Sequence, residues 1–309
     1  MKMKIIALLL VSVLLSACAA GEPVSAPPQA PQAGAVIDRD REGNLITLPQ
    51  NIDRIISMGP SKTEILAALG VGGQIIAADE HSAGIEGLSP DIPLFSVLTP
   101  DPEQIIALAP DVIFVAGLLR HGGADPFRVV VDAGICVIYI PTSSSIEGIK
   151  EDIRFMAAVM GAKEEGAAIV AEMESKIAAI RAVGETITAA RTVYFEIEAA
   201  PHMFSFGGGV FLSEMLEIIG AVNIFADVDG WLSVSDEVIL VANPDVILTN
   251  VGWMDDPIGE IISRPGWETL AAVQNGAVHK IDANSSSRPS HHITLALTQM
   301  AAAIYPEYF

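Results

Sequence analysis

Pro110-Asp111-Val112-Ile113-Phe114 returns later in the chain as Pro244-Asp245-Val246-Ile247-Leu248, and in both places a Glu stands seven positions before the Pro (Glu103 and Glu237). The residues between Glu and Pro are mostly apolar in each copy. Proline cannot continue a helix, so each stretch predicts a short helix that stops, followed by a buried strand. A second pair of segments lies upstream of this one. Thr63-Glu64-Ile65-Leu66-Ala67-Ala68-Leu69-Gly70 is echoed by Ser213-Glu214-Met215-Leu216-Glu217-Ile218-Ile219-Gly220. Two ordered matches of this kind predict a duplication, hence two similar lobes.

Outward from these segments, short apolar runs alternate with helical patterns, the grammar of an α/β fold with mainly parallel sheets and flanking helices. Arg54 to Met58, Gln74 to Ala78, Asp111 to Ala116 and Cys136 to Ile140 predict strands. Ser61-Lys62-Thr63-Glu64 has the spacing of a capping box, and Asp101-Pro102 offers an N-cap with proline at the first helical position. Ser145 to Met160 predicts one helix, and Lys163 to about Ile187, Ala-rich and free of Pro, a longer one. At 1.5 Å per residue the longer helix would span about 37 Å, enough to join two lobes as a stiff spine. The expected organisation is an N-terminal lobe over 51–162, a connecting backbone helix over 163–188 and a C-terminal lobe over 189–309. The crevice between lobes is then the expected ligand site.

The N-terminus predicts export. Lys2 and Lys4 form a short positive region before an apolar run, Ile5 to Leu15, too short to cross a hydrocarbon core that needs about 20 helical residues. Residues 1–17 are therefore expected to be a signal peptide. The run closes on Leu15-Ser16-Ala17-Cys18, which resembles a bacterial lipobox, so Cys18 is the expected lipidation site. Ala19 to Val36 is rich in Pro, Ala and Gln, and 18–50 is read as lipidated Cys plus flexible tether. The remaining Cys136 lies in an apolar run and reads as a small buried residue, so the fold must be held by its core. Formal net charge is −21, from 17 Lys+Arg against 38 Asp+Glu. That excess argues against nucleic acid as a partner and against a body lying on an anionic membrane.

The set Arg54-Ile55-Ile56-Ser57, Pro60-Ser61, Thr63-Glu64-Ile65-Leu66, Leu69-Gly70, Pro110-Asp111-Val112-Ile113, Asn223-Ile224-Phe225, Trp231, Val234-Ser235, Glu237, Pro244-Asp245-Val246-Ile247 and Arg288-Pro289-Ser290 resembles, in order, the helical-backbone (class III) substrate-binding proteins of ABC importers for ferric siderophores, haem and vitamin B12. The resemblance covers about residues 50–309. It implies two sheet-and-helix lobes, closure limited by the joining helix, and a partnership with an ABC permease and its ATPase subunits. It also implies that Glu103 and Glu237, one per lobe, meet arginines of the permease. The chain is expected to act as a monomer without an intrinsic cofactor, lipid-anchored on the outer or periplasmic side of the membrane.

Motif position gives the expected crevice. The N-terminal lobe contributes Asp79, Glu80, His81 and the stretch Leu118 to His121 with Arg120. The C-terminal lobe contributes His202 to Phe206 (His202 and Phe204 foremost), Trp231, Trp253, Arg288, His291 and His292. Trp231 matches a ligand-stacking aromatic of B12-binding relatives. Arg288 is expected to pair with a carboxylate or hydroxamate oxygen. No residue is assigned as a metal ligand, although His81 stands where it could face a metal complex. Of the adjacent His291 and His292, at most one is expected to reach the ligand. Leu94 to Leu98 lacks the Tyr of haem-binding relatives and the Arg of hydroxamate-binding ones. The expected cargo is a ferric-siderophore-like iron complex, then a corrinoid, then haem. A zinc or manganese receptor would want three or four converging ligands. Neither His-Glu-x-x-His nor Gly-x-Ser-x-Gly occurs, so no hydrolase is expected.

Overall fold

The structure, a computed structural model, describes residues 37–117 and 125–309. The signal segment, Cys18, most of the tether and Leu118 to His121 with Arg120 lie outside the described residues.

In the first lobe β1 (Ile55–Met58), α1 (Pro60–Ala68), β2 (Ile75–Asp79), β3 (Leu94–Phe95), α2 (Pro102–Ala107), β4 (Val112–Ala116), α3 (Arg128–Asp132), β5 (Cys136–Ile140) and α4 (Ile146–Val159) follow one another. The strands form one parallel sheet ordered β3-β2-β1-β4-β5. After α5 (Lys163–Gly184) come β6 (Thr192–Glu196), β7 (Phe204–Phe206), α6 (Phe211–Ile219), β8 (Val222–Asn223), β9 (Trp231–Ser233), α7 (Asp236–Ala242), β10 (Val246–Thr249), α8 (Pro257–Ile262), α9 (Ala271–Gln274), β11 (Val278–Lys280), α10 (Ala283–Ser287) and α11 (Ile293–Ile304). The second parallel sheet is ordered β11-β10-β6-β8, and β7 pairs antiparallel with β9. The order β2-β1-β4-β5 in one lobe is thus repeated as β8-β6-β10-β11 in the other.

The repeated Pro-Asp has the same work in both. Asp111 Oδ2 accepts from the backbone N–H of Asp53 (2.8 Å) and Arg54 (2.9 Å), while Asp245 Oδ2 accepts from Thr192 N (2.8 Å) and Thr192 Oγ1 (2.8 Å). Each aspartate therefore locks the entrance of the neighbouring strand. The residue before each Pro, Ala109 (φ 45°) and Asn243 (φ 46°), adopts the left-handed conformation, and no other non-glycine does so among the described residues.

Alternation along the strands builds three cores. Ile55, Val112, Phe114 and Ile138 face one way and join Val193, Phe195, Val246 and Leu248 of the second lobe in a single cluster through α5. Ile56, Ile113, Val115 and Tyr139 face the other way, under α2 and α3. Tyr194 and Ile247 do the same in the second lobe, with Ile239, Ile261 and Trp267. Buried residues of α5 (Gly166, Val170, Met173, Ile177, Ile180, Gly184) recur at intervals of four and three, one stripe of a straight helix. Its 22 residues measure about 33 Å. A Cβ at Gly184 would collide with the carbonyl oxygen of Ile218, so glycine is what allows α5 to touch α6.

Two expectations change. The stretch 37–50, read as the end of a tether, is folded against the first lobe. Asp38 to Ile46 makes a tight turn closed by Ile46 N to Asp38 O (2.9 Å). Asp40, itself buried, accepts from Tyr139 N (3.0 Å) on the edge strand β5, and Arg41 pairs with Asp152 and Glu151 (both 2.8 Å). A blunted strand edge and a partner for the buried Asp152 are what fold this polar segment. Nor does Ser61 cap α1. The helix begins at Pro60 behind Gly59 without a side-chain cap, so Ser61 and Glu64 lie inside it, both buried. Asp101 caps α2 as expected, accepting from Glu103 N (3.0 Å) and Gln104 N (3.2 Å), and Ser145 caps α4 (3.0 Å).

Candidate functional site

In parallel sheets flanked by helices, the loops leaving the carboxyl ends of the strands form the site. At the end of β2, Asp79 is not available to a ligand. It is fully buried, accepting from Gly59 N (3.0 Å), His81 N (2.9 Å) and Ser82 Oγ. Thr63 extends this hub to Ser57 and Ser82 (both 2.8 Å). The hub holds the following loop, and there Glu80 and His81 are exposed. Glu80 Oε1 accepts from Val97 N (3.2 Å), tying the loop to the stretch before α2.

On the other lobe the antiparallel pair β7 and β9 gathers aromatics. Phe206 pairs with Trp231 in register, and their rings meet edge to face at 6.1 Å. Phe204, two residues along, shares that face and is half-buried, while Trp231 is 50% exposed. Trp253 is 64% exposed and donates from Nε1 to Glu198 (3.1 Å), and Glu198 bridges back to Phe204. Phe204, Trp231 and Trp253 therefore belong to one neighbourhood with open indole faces. His202 is exposed just before β7.

Below this surface Glu196 closes β6. It is buried against Arg264 (2.6 and 2.9 Å), whose guanidinium also meets Glu260 and stacks 4.4 Å from the Trp267 ring. Burial raises the Glu196 pKa, and the Arg264 bonds only partly oppose it. Sequence reading missed this group because Arg264 stands 68 residues from its partner, with no local pattern to signal the pair.

Arg288, expected to face the ligand, turns away to the first lobe. Its Nη1 donates to Glu64 Oε1 (2.7 Å) and its Nη2 to the carbonyl of His81 (3.0 Å). Ser290 Oγ donates to Glu64 Oε2 (2.5 Å), and His292 Nδ1 stands 3.5 Å from the same oxygen. Burial opposes ionisation of Glu64, yet the hydrogen bonds from His292, Ser290 and Arg288, with the charge of Arg288, together hold its pKa below the ordinary value.

His291 and His292 were expected to diverge. They sit in an irregular turn before α11, stack with centroids 4.0 Å apart, and both line a cavity of about 310 Å³ with Glu64, Ala67, Ala68 and Glu86. Ala67 and Ala68 end α1, the end remote from the strand termini. The His pair is thus set apart from the aromatic neighbourhood.

Glu103 and Glu237 are both exposed, in the first turns of α2 and α7. Each helix precedes and runs back against its strand, so its start lies level with the crevice loops. Hydrogen bonds from Ser235 and from its own backbone N–H lower the Glu237 pKa. Cys136 is half-buried, and burial with the nearby Asp40 charge pushes its thiol up to about 11. Among the described residues no group of three or more His, Cys, Asp or Glu could hold a metal ion, and no helix is long and apolar enough to cross a membrane.

Two sheet-and-helix lobes joined through α5, with Trp231 and Trp253 exposed on the second lobe, are the frame on which the likeness to known proteins rests. The family model described as periplasmic binding protein matches residues 55–285, and the chain belongs to that family. It is a substrate-binding component of an ABC importer and not an enzyme. It is 27% identical to an uncharacterized ABC transporter substrate-binding lipoprotein of Bacillus subtilis (strain 168), across 98% of this chain and 96% of that protein. It is 25% identical to a cobalamin-binding protein of Halobacterium salinarum (strain ATCC 29341 / DSM 671 / R1), across 90% of this chain and 79% of that one. Among solved structures, a possible iron-binding periplasmic solute-binding protein of Staphylococcus epidermidis superposes with TM-score 0.74 at 26% identity, covering 83% of this chain and 100% of the other.

Proposed function

We propose that the crevice takes a metal chelate with a broad, flat organic ligand, a corrinoid first, and that the chain carries it to its permease while anchored through Cys18. The observation that carries this reading is the pair of exposed indoles, Trp231 and Trp253, beside half-buried Phe204. Open aromatic faces stack on planar macrocycles. The likeness to the cobalamin-binding protein of Halobacterium salinarum supports it. A ferric chelate is the second reading, favoured by the likeness to the possible iron-binding protein of Staphylococcus epidermidis. Glu103 and Glu237 are proposed as the permease contacts, and His81, Glu80, Arg120 and His202 as polar contacts to the cargo.

Cyanocobalamin and a ferric trihydroxamate, titrated against indole fluorescence, test the choice. The expected result is saturable quenching by cyanocobalamin, with affinity reduced at least tenfold in Trp231→Ala, about 1.4 kcal/mol. Quenching by the ferric chelate alone would replace the first reading by the second, and quenching by neither would overturn both.

A further inference from the structure

Glu64 and Glu214 occupy the same place in the two copies of the repeated helix, α1 and α6. Each sends its carboxylate across to the opposite lobe, and the two destinations also match. Glu64 meets the turn that opens α11, the last helix of the second lobe, through Arg288 (2.7 Å) and Ser290 (2.5 Å). Glu214 Oε2 accepts from Ile146 N (3.0 Å), the first residue of α4, the last helix of the first lobe. Both receiving helices follow corresponding strands, β11 and β5. The duplication has therefore produced a pair of reciprocal contacts between lobes.

We infer that Glu64 and Glu214 are matched struts that fix the angle between the lobes, and that Arg288 is a positioning residue for the crevice and not a cargo contact. Glu64 is only 4% exposed. Parting the lobes on that flank would break the charge-assisted hydrogen bonds that Glu64 makes to Arg288 and Ser290. The Arg288 fork also holds the carbonyl of His81 (3.0 Å), so the loop carrying Glu80 and His81 is referenced to the second lobe. The two struts differ in strength. The Glu64 strut engages a guanidinium and a hydroxyl, with His292 beside them, whereas the Glu214 strut rests on one backbone N–H at a helix start, a favourable place for a carboxylate. It stands at an open groove of about 500 Å³ between α4, α5 and α6. Residual lobe motion is therefore greater on the Glu214 flank. The struts set the lobe geometry whichever chelate is carried.

The test is a distance measured between lobes in the full-length protein without cargo. Cysteines replacing exposed Val129 on α3 and Ile262 on α8, in a Cys136→Ala background, carry spin labels for pulsed dipolar spectroscopy. The expected result is one narrow distance distribution for the parent, clearly broadened or shifted in Glu64→Gln/Arg288→Gln. Arg288→Lys, which keeps the charge but not the fork, should broaden it less than the double variant does. Glu214→Gln should broaden it less. A parent-like distribution in both Glu64→Gln/Arg288→Gln and Glu214→Gln would overturn the inference. So would broadening by Arg288→Lys as large as that of the double variant. If the double variant does not fold, Ser290→Ala, which deletes one oxygen from the strut, must still broaden the distribution, and an unchanged one would count against it.

Discussion

His291 is held neutral where a free histidine would titrate. Burial and the charge of His292 push its pKa down from 6.5 to about 4, only partly opposed by Glu64 and Glu172, with Lys176 adding to the shift. Its Nδ1 is buried without a partner. Since the unfolded chain binds the proton more readily, His291 adds stability that is complete above pH 6.5 and is lost as pH falls from 6.5 towards 4. Denaturant midpoints measured across that window should fall with pH, and His291→Phe should flatten the slope. An unchanged slope would show that other groups set it. Glu64 acts lower, since its pKa lies below 4.5, so its strut weakens only under more acid conditions. The sequence displayed both histidines and Glu64, but not their meeting. The two segments lie more than two hundred positions apart, and the capping-box spacing gave Glu64 a local explanation that burial overrules. Its match with Glu214 was the available signal.

The repeated helix–Pro–strand element was the most legible part of the chain, because its logic is local. A Pro ends each helix and an apolar run follows it, and both can be read from adjacent residues; that the Asp grips a strand more than fifty positions away cannot. What could not be read is the left-handed residue that makes the corner, since Ala109 and Asn243 share no side-chain chemistry. They should answer differently to glycine. Ala109 gains nothing from its methyl at φ 45°, so Ala109→Gly should stabilise the fold by about 0.4–1 kcal/mol. Asn243 tolerates the conformation and accepts from Ala271 N (2.8 Å), so Asn243→Gly should cost about 1 kcal/mol. Chemical denaturation of the two variants would expose this difference of sign. The pairing of β7 with β9 was not legible either. Its strands are three residues each and separated by α6, so no short-range turn announces their pairing.

Across the molecule, one core cluster runs from Ile55 through α5 to Ile304, so the two lobes do not have independent interiors on that side. Hinge closure would have to open this packing, and scattering profiles with and without bound chelate should nearly coincide. A body that changes shape little must display its loaded state chiefly through the rim of the crevice, and there the paired carboxylates Glu103 and Glu237 stand, both exposed and one on each lobe. Neither belongs to the aromatic neighbourhood or to the seam, so both can be altered without touching the proposed cargo contacts. An exposed ion pair is worth only about 0.2–1 kcal/mol, hence Glu103→Ala or Glu237→Ala alone should slow uptake mildly. Together they should slow it far more, because orientation is lost at both ends. Glu103→Arg with Glu237→Arg should be worse still, setting like charges across the interface. Affinity for the chelate should stay at the parent value in all four variants. Uptake through the cognate permease, measured beside ligand titration of the purified proteins, separates these effects. Weakened chelate binding with normal uptake per bound molecule would instead move both carboxylates into the site.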